Sequence, residues 1–204
     1  MKTLSAVVLG ILLFMQPVWV VAGAPGEQVH QSVNKLLAIL KDPRLKGDAN
    51  KNERREKLKE VIYQRFDFTE MAKRSLGSEW RRRSPEEQKG FVRLFTDLLE
   101  RAYLDQLESY NGEKIQFLKE LDGDNYADVA TKIIDNKGQE YSVNYRLHKV
   151  SEDWKVYDMV IEDISLINNY RSQFSRVLAK SSYEELVSTM KGKTLITPGT
   201  KSTF

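Results

Sequence analysis

Cysteine is absent from all 204 residues. That excludes disulfide staples, a CxxC redox centre and the thiol a lipid anchor would need. Histidine is nearly absent. His30 and His148 form no HExxH pair and have no cysteine to complete a metal site, so neither a metal nor a cofactor is expected. There is no G-x-S-x-G elbow, which weakens a hydrolase reading, and no glycine-rich phosphate loop. A surplus of one charge is missing too: 32 Lys and Arg stand against 29 Asp and Glu. Lys2 is the one charge within 1–24, so the rest of the chain carries 31 against 29. So balanced a surface, on a chain read below as exported, argues against nucleic acid as partner. No long apolar run follows the first one.

What is there begins with an export signal. Lys2 supplies the positive start, Leu4 to Met15 an apolar stretch too short for a comfortable span, and Ala22-Gly23-Ala24 the small residues of a cleavage region. Residues 1–24 are therefore read as a signal peptide. Cleavage after Ala22 and after Ala24 both remain open, Pro25 disfavouring the second, and Val18 to Val21 keep an uncleaved anchor as the other reading. A bacterial periplasm is the expected location. The remaining length suits one domain over 25–191, with a loose tail over 192–204.

Local patterns order the elements. Val29, Val33, Leu36, Leu37 and Leu40 make an amphipathic helix that ends at Asp42-Pro43. Residues 51–60 carry mixed charge at helical spacing, with Leu58, Val61 and Ile62 beneath. Asp67 and Glu70 cap a helix that should stop at Gly77 in left-handed conformation. Ser84-Pro85-Glu86-Glu87 opens the longest helix, near 85–109. Four antiparallel strands follow, near 114–121, 126–134, 139–148 and 153–161, separated by Asp/Gly/Asn-rich turns. In the last, Trp154, Val156, Asp158 and Val160 are expected on one face and Lys155, Tyr157, Met159 and Ile161 on the other. From Ser165 the period turns helical, and Ser182 with Glu185 caps a final helix. The expected fold is α+β: a curved four-stranded antiparallel sheet against a mostly helical layer, cone-like around an apolar cavity, with the long helix across its mouth.

Two clusters bear on function. Asp158 sits on an apolar strand face and needs a partner, with Arg171 or a helix N-terminus as candidates. The alternatives are a ligand-facing carboxylate or the general base of a cone-fold pocket enzyme. Arg81, Arg82 and Arg83, beside Trp80, are either a solvated loop or a docking point for an anionic membrane or an acidic partner.

The wording of the chain resembles a family. Trp154-Lys155-Val156-Tyr157-Asp158, Ile164-Ser165-Leu166, Tyr170-Arg171 and Gln173-Phe174 carry the resemblance, with Arg65-Phe66-Asp67, Met71-Ala72, Leu76-Gly77 and Trp80 before them. Ser84, Glu87-Gln88, Phe91, Phe95 and Tyr110-Asn111-Gly112 match as well. Together they are similar to the MlaC-type, or toluene-tolerance, periplasmic phospholipid-binding proteins over nearly all of the mature chain. Asp163 departs from the pattern, standing where the family usually has glycine, and leaves the geometry of that corner open.

The resemblance implies a carrier, monomeric and without enzyme activity, that encloses phospholipid acyl chains. It implies shuttling between an outer-membrane lipid complex and an inner-membrane ABC transporter complex. Two chains hold about 28–30 methylenes, whose exposure at about 0.8 kcal/mol each would cost above about 20 kcal/mol. Their cavity should reach about 1,000 Å³. Its expected lining is Val143, Tyr145, Val156 and Val160 on the strands, facing Phe95, Leu98, Leu99 and Tyr103 on the long helix. Phe66, Met71, Tyr170 and Phe174 close the sides, and for each residue the sequence leaves lining and plain core both open. Another apolar cargo such as a hopanoid, or a lipid-free interaction module, also remains open.

Overall fold

The computed structural model describes residues 24–192. All but the last residue of the expected signal segment, and all but the first of the expected tail, lie outside them. Helix α1 spans Pro25–Lys41, α2 Lys51–Arg65, α3 Phe68–Leu76 and α4 Pro85–Glu108. Strands β1 (Lys114–Asp122), β2 (Tyr126–Ile134), β3 (Glu140–Val150), β4 (Asp153–Ile161) and β5 (Ile164–Ser165) follow, then α5 (Leu166–Leu178) and α6 (Tyr183–Lys191). The strands form one antiparallel sheet in sequence order. It has five strands instead of four, because the chain doubles back for two residues before α5. No helix among the described residues is long and apolar enough to cross a membrane.

The helix ends follow from local chemistry. Pro43 disfavours helical backbone at Asp42, and the Asp42 carboxylate accepts from Arg44 N at 2.9 Å to close the turn. Asp67 caps α3 by accepting from Glu70 N at 2.9 Å. Ser84 and Glu87 exchange side-chain-to-backbone bonds at 3.2 and 2.7 Å, the reciprocal cap that starts α4. Gly77 follows α3 at φ 65° and ψ −131°. The positive φ is as expected, but this ψ is extended and not left-handed helical, and the chain continues into a 3-10 turn over Gly77–Arg82.

Two separate cores result. In the helical one, Phe91, Phe95 and Leu98 of α4 pack with Met71 and Ala72 of α3, Tyr170 and Phe174 of α5, and Leu186 and Met190 of α6. Phe95 meets Tyr170 edge-on, ring centroids 5.5 Å apart at 85°. In the other, Val29 and Val33 of α1 lie on Ala127, Val129, Leu147, Trp154 and Val156 of the sheet. Phe95 is fully buried, so Phe95→Ala should cost about 3–5 kcal/mol in denaturant unfolding. Since Phe95 belongs to the helical core alone, bound lipid per folded molecule should not change.

The strand β4 departs from simple alternation. Its register against β3 pairs Arg146 with Asp158 but Leu147 with Val156, which leaves Tyr157 as an extra, bulged residue. The bulge moves the inward side from even to odd positions. Trp154 and Val156 pack with α1, whereas beyond the bulge Met159 and Ile161, not Asp158 and Val160, face the space under the helices. The free edge of β4 is covered. Phe66 bridges to Val156, and Asp67 N donates to Val156 O at 2.9 Å. At the β4–β5 corner both Glu162 and Asp163 take positive φ, 47° and 63°, as a tight two-residue hairpin requires. The corner is held by Glu162, whose carboxylate accepts from Ser142 N at 2.5 Å and Ser142 Oγ at 3.0 Å.

Candidate functional site: an apolar cavity between helices and sheet

Between the two cores lies a cavity of about 360 Å³. The apolar stripe of helix α1 makes one wall: Leu36, Leu37 and Leu40 line the cavity together with Val29 and Val33, which also pack into the sheet core. Helix α4 makes another. Phe91 and Phe95 belong to the helical core, and Leu99, Tyr103, Leu104 and Leu107 face the cavity. The floor is the concave face of the sheet: Ile115, Ile133, Tyr141, Val143, Tyr145, Met159 and Ile161. Phe66, Phe68, Met71 and Leu166 close one side.

Of the twelve residues expected on the lining, the structure brings six together there: Phe66, Met71, Leu99, Tyr103, Val143 and Tyr145. Phe95, Leu98, Tyr170 and Phe174 lie in the helical core, Val156 under α1, and Val160 is buried where β4 pairs with Ser165. The volume, about 360 Å³, is smaller than the 1,000 Å³ expected. The sequence reading laid the long helix across the mouth, whereas α1 adds a further wall of leucines. The lining residues that the sequence does not single out are that stripe, Met159 and Ile161 of β4, and Phe68, Leu104, Leu107, Ile115, Ile133, Tyr141 and Leu166. The stripe was visible as a helix face but not as a cavity wall; the β4 shift needs the bulge to be seen.

Burial dominates the electrostatics here. It pushes the Tyr145 hydroxyl up to about 12 and raises the Tyr103 hydroxyl well above its ordinary value, with neighbouring Tyr170 adding to the shift. Polar side chains sit at the rim. Arg65, lowered by burial, donates to Ser32 Oγ at 3.0 Å, to Gln28 Oε1 at 2.6 Å and to Trp154 O, so it ties α1, α2 and β4 together. Lys59 of α2 and Glu100 of α4 also border the cavity.

Asp158 faces away from the cavity and is only 3% exposed. Its Oδ1 accepts from Ile167 N at the start of α5 at 3.1 Å; Oδ2 accepts from Ser165 Oγ at 2.7 Å and Arg146 Nη1 at 3.2 Å. Of the partners considered, the helix N-terminus is the one found. Arg171 instead donates to Arg74 O at 2.7 Å. Histidine serves structure also: His148 Nε2 lies 3.0 Å from Asp67 Oδ2, and His30 stacks edge-on with Phe117.

None of Arg81, Arg82 and Arg83 borders the cavity. Arg82 pairs with Glu79 at 2.8 Å. Arg83 reaches Glu79 and Glu87 at 3.6 Å and lies over the Tyr183 ring. Arg81 is exposed and borders an open groove with Arg74, Trp80 and Arg171.

Known proteins resemble this chain in fold and sequence. The chain is similar to a phospholipid-binding protein from Ralstonia solanacearum, solved in complex with a phospholipid. The TM-score is 0.74 and the identity 26%, covering 83% of this chain and 96% of that one. It is 25% identical over 173 residues to the intermembrane phospholipid transport system binding protein MlaC of Haemophilus influenzae, covering 82% of this chain and 81% of the relative. It is also 25% identical over 174 residues to the toluene tolerance protein ttg2D of Pseudomonas putida, covering 84% and 81%. The family model described as MlaC protein matches residues 30–192, which takes in every described element except the start of α1 through Val29, and the chain belongs to that family.

Proposed function

We propose that this chain is a soluble periplasmic carrier that holds phospholipid acyl chains in the cavity and moves the lipid between outer and inner membranes. The observation that carries the reading is the cavity itself: almost wholly apolar walls around about 360 Å³, lying between two cores. The likeness to a Ralstonia protein in complex with a phospholipid supports it. In this reading the binding residues are the six that both sequence and cavity single out, joined by Leu36, Leu37, Leu40, Met159 and Ile161. Transfer has to occur on docking, because release of two acyl chains into water is too costly.

The partners in this reading are an inner-membrane ABC transporter complex and an outer-membrane lipid complex, met by a monomer exported through residues 1–24. Arg81, Arg82 and Arg83 form the docking point; Arg81 and Arg82 are its exposed members, Arg82 while paired with Glu79, and Arg83 is held by Glu79 and Glu87. Catalysis has no place in it. Both oxygens of Asp158 are taken by structural donors. Organic extraction of the protein purified from its native source, followed by mass spectrometry, should yield about one phospholipid per molecule. Lipid-free protein that also takes nothing from liposomes would sink the proposal.

A further inference from the structure

The cavity's walls are mostly apolar, and charged side chains border it at Arg65, at Glu113 and at one seam. There, α2 and α4 face each other through charged and hydroxyl side chains: Lys59 Nζ lies 3.2 Å from Glu100 Oε2, and the Tyr63 hydroxyl donates to the same carboxylate. Glu56 holds Lys59 from the other side at 3.1 Å. One turn further along, Arg54 and Arg55 converge on Glu108, both at 2.7 Å, and this second group is more deeply set, Arg54 and Glu108 being 15% and 8% exposed. Lys59, Tyr63 and Glu100 border the cavity, whereas Arg54, Arg55 and Glu108 do not. The seam thus has an anchored end and an end that opens onto the apolar interior.

An ion pair seldom makes a better seal than apolar side chains of the same size. What it offers is exchange: a lysine ammonium is a compact charge that takes one anion in place of another. The cavity must also widen for two chains. Widening it across the sheet would break ladder hydrogen bonds, and widening it between α1 and the sheet would open an apolar core. Parting α2 from α4 at this seam breaks side-chain bonds only.

We propose that the seam at Lys59, Tyr63 and Glu100 is the mouth of the cavity, and that Lys59 and Tyr63 exchange the Glu100 carboxylate for the phosphate of the entering lipid. The acyl chains then lie against Leu36, Leu37 and Tyr103, with the phosphodiester at the rim. Glu100 acts as the stand-in anion that keeps the seam shut. The site therefore takes diacyl glycerophospholipids and discriminates against cargo of the same apolar bulk without a phosphate. This rests on the carrier reading above and names the subsite and specificity that reading leaves unassigned.

The test uses two soluble ligands with identical chains, dioctanoylphosphatidylglycerol and dioctanoylglycerol, titrated calorimetrically into the protein. Wild type should bind the phosphate-bearing ligand about tenfold or more tightly, the size of one charge-assisted contact. Lys59→Gln should bring the two affinities to within about threefold by weakening only the phospholipid, and Glu100→Gln should strengthen it. An unchanged preference in Lys59→Gln, or none in wild type, overturns the inference while leaving the carrier reading intact. Binding of neither ligand overturns both. A second measurement tests the mouth. Because the chain lacks cysteine, Glu60→Cys with Asp97→Cys, exposed positions on α2 and α4, can be joined by a bis-maleimide. The cross-linked form should cease exchanging lipid with phosphatidylglycerol vesicles, while the same variant treated with a mono-maleimide continues. Exchange at equal rates in both forms places the mouth elsewhere.

Discussion

Val143→Trp is expected to displace the cargo while leaving the fold standing. Val143 lies at the centre of β3, 4% exposed, opposite Thr131 on one side and Ile161 on the other, and borders the cavity. An indole there grows into the cavity of about 360 Å³ proposed to take acyl chains. Elsewhere in a packed interior such an enlargement costs about 1–3 kcal/mol of strain. Here the added atoms meet open apolar space, and tryptophan suits a strand. The Thr131 hydroxyl donates to the backbone carbonyl of Val143 at 2.8 Å, a bond the substitution does not touch. Copurifying phospholipid should therefore fall by about tenfold or more, with a melting temperature within a few degrees of wild type. Wild-type lipid content in this variant would show that chains lie somewhere other than over β3.

Asp158→Ala should produce the opposite pattern, a loss of stability with no loss of binding specificity. Removing the carboxylate orphans Ile167 N at the start of α5, frees Ser165 Oγ and leaves Arg146 without its buried partner. Breaking a buried pair costs about 3–5 kcal/mol. Arg146 is 40% exposed and can be rehydrated, so we expect the lower end, about 3 kcal/mol. For a domain of this size that is about 6–12 °C in melting temperature. Asp158→Asn keeps one acceptor and should cost less. Lipid bound per folded molecule should match wild type in both, since Asp158 does not border the cavity. A variant that melts like wild type but no longer binds lipid would make Asp158 a ligand-facing group after all.

How far the sequence reaches depends on the range of the interaction read. Ser84 with Glu87, Asp67 with Glu70 and Ser182 with Glu185 are contacts within one turn, and each marks its helix start within a residue. The four long strands fall close to their expected limits because turn residues bound them. The face of β4 was legible only up to Tyr157. Beyond the bulge an alternation that is apolar at both parities looks the same whether or not one residue has been inserted, so Met159 and Ile161 were placed on the wrong side. Leu36, Leu37 and Leu40 pose a different problem: periodicity says that a helix has an apolar face but not what the face covers. That is decided by α1 reaching past the sheet core that holds Val29 and Val33. The pairing of Lys59 with Glu100, 41 positions away in the chain, had no local signal at all.

The two cores lie on either side of the cavity, each giving a few residues to its wall, and for the carrier proposed above this bears on how often one molecule can be used. Val29 and Val33 grip the sheet, and Phe91, Phe95 and Phe174 grip one another, whether or not anything lies between. Many proteins with internal ligands fold around them, so that unloading is a step towards unfolding; in the proposed carrier a bound lipid would add to stability by mass action. For that carrier, the same molecule is expected to give up its load, stay folded, and return for another.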